Sequence, residues 1–379
     1  MVTELAQALG NYQCEIDLVS TNANDGQKLA VPLNIWLKQE NYRIQCFSCW
    51  HRQDLIFSLS LIIWLLKNLG NYDIIHTHSI FSPLISLVHG IGYFHGKPYI
   101  MTPHGMLESW ALSYKAQKKR IYYSLIEKPA LQKAKAIHAL VNAEAKNIQS
   151  LNINSPTVII PNGIHRHGFE KLPSSDLFCQ EYPELINKTL IVFLGRIDPK
   201  KGLDLLAPAF AKIHQQFPTT HLIIAGPDSI GFLSKAQSFF TESGCLNAVT
   251  FTGMLTGSLK LSALAAASLY VAPSYSEGFS MSVLEGMASG LPCIITTGCN
   301  FPEAATARVA HVVDIDAHSI ANAAISCLQN PEQAKIMGDR ARQFIFQNYT
   351  WDIAAKKLVA VYQQIIEEQK INLLPQATQ

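Results

Sequence analysis

The stretch Leu190-Ile191-Val192-Phe193-Leu194-Gly195-Arg196-Ile197-Asp198-Pro199-Lys200-Lys201-Gly202 runs from five apolar residues into a loop with two glycines and several cations. A short apolar run bounded by turn residues reads as a strand buried on both faces. The same unit recurs downstream at His221 to Ala225, Val249 to Thr252, Leu269 to Ala272, Cys293 to Thr296 and His311 to Val313. Longer helical patterns separate these runs, which predicts a parallel sheet with helices on both faces. The first half repeats the alternation at Glu15 to Val19, Asp73 to His76, Pro98 to Thr102, Ala136 to Ala139 and Thr157 to Ile160. The expected fold class is α/β, with two doubly wound domains.

A chain of 379 residues, 48% of them apolar, is near the size at which one core becomes two. The expected domains are 1–165 and 166–350. Pro161 to Asn187, polar and broken by Pro161, Gly163, Pro173 and Pro183, is expected to be an irregular interdomain linker. A net charge of +2 gives no global signal for nucleic acid or an acidic partner. The eight cysteines are scattered, which suits a reducing cytoplasm, and Cys46 and Cys49 form a lone C-x-x-C that reads as two small buried residues. Met1 to Leu9 carries Glu4 and lacks a small-residue cleavage site, so it does not read as a secretory signal. The most apolar run, Leu55 to Leu69, spans about 15 residues, short of the roughly 20 needed to cross a bilayer, and is expected to be a buried helix.

In an open parallel sheet, ligands bind at the carboxyl ends of the strands, so the loops there carry the chemistry. Gly195 and Gly202 allow close backbone approach, while Arg196 and Lys201 supply a planar bidentate donor and a point charge suited to a diphosphate. The loops at Gly226 and Gly253 and at Pro273 to Ser280 should gather on the same edge. A helix beginning near Ser280 or Met281 would aim its free amides at the same anion. Glu277 in the loop and Glu285 in the helix are separated by seven residues. Carboxylates accept from sugar hydroxyls, so one could hold the donor sugar and the other the ribose of a nucleotide sugar. Glu285 sits beside Val283, Leu284 and Met287, where an unpaired charge would be costly.

These residues resemble the retaining glycosyltransferases of family 4, of the glycosyl transferases group 1 type found in bacterial polysaccharide biosynthesis. The resemblance rests on Gly195-Arg196 with Lys201-Gly202, on the E-x(7)-E element from Glu277 to Glu285, and on Gly290-Leu291-Pro292. Pro161-Asn162-Gly163-Ile164 and Tyr349-Thr350-Trp351 also match. It implies the GT-B fold, two Rossmann-like domains facing a cleft, with a final helix at about 351–370 packing back on the acceptor-side first domain. It further implies that Arg196 and Lys201 neutralise the leaving diphosphate, Glu277 binds the donor sugar and Glu285 the ribose. The backbone of Gly278, Phe279, Ser280 and Met281 would cap the phosphate, and His104, in Thr102-Pro103-His104-Gly105-Met106, would be the first domain's histidine near the sugar.

The family begins with a strand and a Gly-rich loop, whereas Met1 to Ala6 resembles the following helix, so the first domain is expected to lack its first strand. The implied activity is transfer of a hexose, with retention, from a UDP or GDP donor to a glycan or a polyprenyl-diphosphate-linked acceptor. The cationic site removes the need for a divalent ion, and no cofactor is expected. The protein is expected in the cytoplasm, peripheral on the inner face of the membrane. That expectation draws on the basic aromatic stretch of Tyr114, Lys115, Lys118, Lys119, Arg120, Tyr122 and Tyr123, which reads equally as a solvated helix face.

His76 and His78 lack a third ligand at metal spacing and read as structural. Asp314-Ile315-Asp316 has a metal-motif spacing but is explained by a helix cap. No G-x-G-x-x-G follows the first strand of either half, which argues against a dinucleotide-dependent dehydrogenase. The alternative function is a truncated or inactive donor-binding GT-B protein that partners another transferase.

Overall fold

The structure is a computed structural model describing residues 1–24, 27–52, 55–108 and 120–373. The chain forms two compact units, Met1–Asn162 together with the segment from Trp351 onward, and Gly163–Thr350.

The second unit is built on a parallel sheet of six strands. Their spatial order is Val249–Gly253, Thr220–Ala225, Thr189–Leu194, Ala267–Ala272, Cys293–Thr296 and His311–Val313. The chain starts at the centre, winds outward to one side, then crosses back at Ala267–Ala272 and winds to the other. The carboxyl ends of Thr189–Leu194 and Ala267–Ala272 therefore flank a topological switch point, where such sheets bind ligands. Alternate residues pack on opposite faces: Val192, Leu194 and Ile223 join one core cluster, and Ile191, Phe193 and Leu222 the other.

Pro161 to Asn187 is not an irregular linker. It holds the helices Arg166–Glu170 and Asp176–Glu181, and Phe169, Phe178 and Leu185 are buried in the second unit's core. Ser262 ties the segment down, accepting from the Phe178 amide at 2.9 Å and donating to the Ser174 carbonyl at 2.7 Å. The prolines mask three apolar anchors whose burial outweighs the polar composition around them.

The first unit has a four-stranded parallel sheet, ordered Thr157–Ile159, Ala136–Ala139, Tyr99–Thr102, Ile75–His78, and a separate three-stranded sheet. In the latter, Arg43–Phe47 lies between Asp17–Thr21, to which it is parallel, and the antiparallel Trp36–Lys38. The first unit's longer strands are thus divided between two sheets. The apolar run at Leu55 begins as a strand, Leu55–Phe57, and becomes the helix Leu59–Asn68, whose first turn is capped where the Leu61 amide donates to Ser58 Oγ. That helix buries Leu61 and Leu65 but exposes Leu59, Ile63 and Leu66, so the expectation of a buried helix is corrected. Among the described residues, no helix is long and apolar enough to cross a membrane.

Cys46 and Cys49 are both buried, and Asn22 Oδ1 accepts from the Cys49 amide at 3.2 Å. The final helix, Trp351–Leu373, belongs to the first unit, where Trp351 Nε1 donates to Glu4 Oε2 at 3.0 Å. In the basic aromatic stretch, Tyr114, Lys115, Lys118 and Lys119 lie outside the described residues.

Candidate functional site

Close backbone packing shapes the carboxyl edge of the second sheet. A Cβ on Gly226 would lie 1.8 Å from the Gly195 carbonyl oxygen, and one on Gly202 would lie 2.0 Å from that of Pro273. Gly202 also has φ +71°, a left-handed conformation natural to glycine. The loops after Thr189–Leu194, Thr220–Ala225 and Ala267–Ala272 are therefore pressed together. The Gly226 amide donates to the Gly253 carbonyl at 2.8 Å, which adds the loop after Val249–Gly253.

Within this edge Lys201 Nζ lies 2.5 Å from Glu277 Oε1, the two side chains only 12% and 8% exposed. Ser274 Oγ donates to the same carboxylate oxygen at 2.8 Å. The backbone of Glu277 is clamped as well: its amide donates to the Gly298 carbonyl at 2.8 Å, and Asn300 Nδ2 donates to its carbonyl at 2.5 Å. Arg196 is placed differently. Its side chain is 54% exposed, with Nη2 3.5 Å from Asp198 Oδ2, and Asp198 Oδ1 accepts from the Lys200 amide to cap the turn Pro199–Lys201.

Ser280 is the extended residue before the helix Met281–Ala288, whose first amides have no side-chain cap from it. Phe279 stacks on Tyr349 at 5.9 Å and meets Phe301 edge-on, which anchors the loop containing Gly278. Glu285 is not an unpaired charge beside an apolar stripe: Lys260 Nζ, on the helix Gly257–Ala266, lies 2.7 Å from its Oε1. Ser274, Asn300 and Lys260 were not found by sequence reasoning. The first two occupy loops after expected strands, a signal available in principle, whereas nothing in the pattern around Lys260 marks it. Asp316 accepts from the Ser319 amide at 2.9 Å and so caps the helix Ala317–Gln329.

His104, in the first unit, follows the strand Tyr99–Thr102 with φ +55°, an uncommon conformation for a residue with a Cβ. Its Nε2 lies 3.0 Å from His78 Nδ1, and its Nδ1 is buried without a hydrogen-bond partner. Four more contacts set the tautomers of the neighbouring groups. His138 Nε2 faces the Ile160 carbonyl at 2.6 Å and must donate, so its Nδ1 accepts from Thr102 Oγ1 at 3.1 Å. Thr102 Oγ1 then accepts from His76 Nε2 at 2.7 Å, which leaves His76 Nδ1 to accept from Tyr362 at 2.6 Å. Burial is the largest cause lowering each pKa: His104 and His138 to about 4, His78 to about 3, and His76 well below its ordinary value. All four are neutral imidazoles at pH 7. Beneath them, Glu144 accepts from the Gly105 and Leu140 amides at 2.6 and 2.7 Å, holding the turn that carries His104.

Two family models cover most of the chain. The one described as Glycosyltransferase Family 4 matches residues 1–167, and the one described as Glycosyl transferases group 1 matches residues 180–344. The chain is 27% identical over 308 residues to phosphatidyl-myo-inositol mannosyltransferase of Mycobacterium tuberculosis, a match covering 78% of this chain and 75% of that one. Its structure is similar to sucrose-phosphate synthase from Thermosynechococcus elongatus, with TM-score 0.76 and 20% identity over 97% of this chain and 93% of that one. It is also similar to Anabaena HepE in complex with UDP and glucose, with TM-score 0.70 and 18% identity over 85% and 86% of the two chains. The chain belongs to the family 4-type glycosyltransferases of the GT-B fold.

Proposed function

We propose that this glycosyltransferase moves a hexose from UDP-hexose or GDP-hexose to a glycan or polyprenyl-diphosphate-linked acceptor, with retention, in bacterial cell-surface polysaccharide synthesis. The observation that carries the reading is the enclosed Lys201 and Glu277 pair at a switch-point edge shaped by Gly195, Gly202 and Gly226. Lys201 and the exposed Arg196 meet the diphosphate and stabilise the charge that develops as it leaves. The amides from Phe279 to Met281 add the helix's positive end. Glu277 already accepts from Lys201 and Ser274 through Oε1, so its second oxygen takes hydroxyls of the donor sugar. Glu285, oriented by Lys260, takes the ribose. His104, a neutral imidazole in the first unit, is the further residue assigned to catalysis.

Lys201 and Arg196 supply the counter-charge that a divalent ion would otherwise provide, so turnover should persist in EDTA. Glucose with UDP in the complex of one structural relative, and a phosphatidylinositol acceptor in the name of one sequence relative, support a nucleotide-hexose donor and a lipid acceptor. The latter also supports work at a membrane surface. Calorimetric titration of UDP and GDP into the protein tests the donor site. Micromolar binding of one nucleotide, weakened in both Arg196→Ala and Glu285→Ala, is expected; no binding of either would sink the transferase reading for this chain.

A further inference from the structure

The second unit holds another lined space, away from the loops that carry Lys201 and Glu277. A cavity of about 590 Å³ lies against His311–Val313, the edge strand of the six-stranded sheet, and is walled by the helices Ala317–Gln329 and Pro331–Asn348. An adjoining cavity of about 420 Å³ shares Cys327 and Ala334 with it and reaches Thr189, Thr220 and Ala267, the first residues of three other strands. The two together follow the amino edge of the sheet. The loops at the carboxyl edge stand one strand length away, roughly 20 Å for the six residues of Thr189–Leu194.

The lining of these cavities is one-sided in charge. Its charged side chains are Arg308, Arg340 and Lys335, all cationic, in a chain with 30 Lys and Arg against 28 Asp and Glu. None of the described lining residues is a carboxylate, although Glu332 and Asp339 stand on the same helix as Arg340. Among the described residues neither Arg308 nor Arg340 forms an ion pair. Arg340 Nε donates to the Ile336 carbonyl at 3.4 Å, which leaves its terminal nitrogens to a ligand. Arg308 is exposed and held at φ +56° just past the helix Pro302–Thr306, where glycine is favoured and a residue with a Cβ is strained. Two planar guanidinium groups without carboxylates at one cavity match the geometry of a phosphate. Asn330 and Gln333 add amides for hydroxyl groups; Asn330 Nδ2 is engaged by the Ser326 carbonyl at 3.0 Å, so its Oδ1 accepts. Val312 and Met337 supply an apolar floor, and the volume falls in the range of small-ligand sites.

We propose that the cavity at the sheet edge is a second ligand site, for a small sugar phosphate. Arg308 and Arg340 take the phosphate, Asn330 and Gln333 take hydroxyls, and the carbon face of the ring lies on Val312 and Met337. The site is separate from the carboxyl edge and does not depend on the transferase reading.

The test titrates glucose 6-phosphate, glucose and inorganic phosphate into the full chain by calorimetry. Glucose 6-phosphate is expected to bind with Kd below about 1 mM and about tenfold or more tighter than inorganic phosphate, while glucose alone gives no heat. Arg308→Gly should weaken the sugar phosphate by about tenfold or more while keeping or raising Tm, because glycine relieves the left-handed backbone. Arg340→Gln should weaken it by a similar factor at unchanged Tm. Lys201→Met, which alters the carboxyl edge, should leave this affinity as it is. No binding, binding that survives both arginine variants, or binding lost in Lys201→Met would overturn the proposal. Inorganic phosphate as tight as glucose 6-phosphate would show a bare anion site and overturn the sugar assignment. The acidic peptide Glu-Val-Glu-Val-Glu is the last arm: if it slows amide exchange in His311–Val313 while glucose 6-phosphate does not bind, the edge takes an added strand and the small-ligand site is overturned.

Discussion

Lys201→Met tests the centre of the site, because it removes the ammonium while keeping an apolar stem. Breaking one side of a fully buried ion pair costs about 3 to 5 kcal/mol. Here the side chains keep 12% and 8% of their exposure and Ser274 still donates to Glu277, so a loss of about 2 to 3 kcal/mol is expected. Glu277→Gln keeps an acceptor at Oε1 for both partners and should cost about 1 to 2 kcal/mol. The two losses must not add: the double variant should be about 1 to 2 kcal/mol more stable than their sum. Urea unfolding of the four proteins at pH 7 measures this, and additivity to within about 0.5 kcal/mol would refute the pair as a coupled unit. Calorimetry separates the functional roles. Lys201→Met should weaken the bare nucleoside diphosphate by roughly 10- to 100-fold, the equivalent of one lost charge-assisted contact. Glu277→Gln should leave that affinity nearly unchanged and lower kcat/KM for the nucleotide sugar. Equal weakening of the bare nucleotide by both variants would sink the division of roles between diphosphate and sugar.

Gly202→Ala should destabilise the second unit by about 3 kcal/mol, or roughly 6 to 12 °C in Tm by calorimetry, because φ is +71° and the new Cβ meets the Pro273 carbonyl. Burial lowers the His138 pKa to about 4 from an unfolded value near 6.5, so its stabilising effect is present above pH 6.5 and is lost as pH falls towards 4. Urea unfolding at pH 7, 6 and 5 should show a decline that His138→Gln makes shallower by about 0.7 kcal/mol between pH 7 and 6 and about 1.2 kcal/mol between pH 6 and 5, and an unchanged slope would refute the neutral assignment. Lys260→Met should weaken nucleotide binding about fivefold by releasing Glu285, with Lys260→Arg restoring it, as titration of both variants will show.

The second unit was legible because its strands are buried on both faces, and double burial writes itself as unbroken runs such as Leu190 to Leu194. The first unit's outer strands follow another rule. Arg43–Phe47 and Trp36–Lys38 are short, mix charged with apolar residues, and depend on pairs such as Arg43 with Asp17, at 2.5 Å, which lie far apart in sequence. The site divides the same way. Arg196, Lys201, Glu277 and Glu285 stand in or beside loops that follow apolar runs, so topology alone picks them out. Their partners Lys260, Ser274 and Asn300 were missed because the fold, not the local pattern, decides which cation or amide arrives. His104 is the extreme case. Read alone it is one of 13 histidines in the chain. In the fold it stacks on His78, beside a ladder running from His138 through Thr102 and His76 to Tyr362, where every assigned donor finds an acceptor. A charge on any one of these rings would oppose burial and its neighbours together, so the cluster stays neutral as a group. Each ring's protonation is therefore a property of the assembled unit, with no counterpart in any single stretch of sequence.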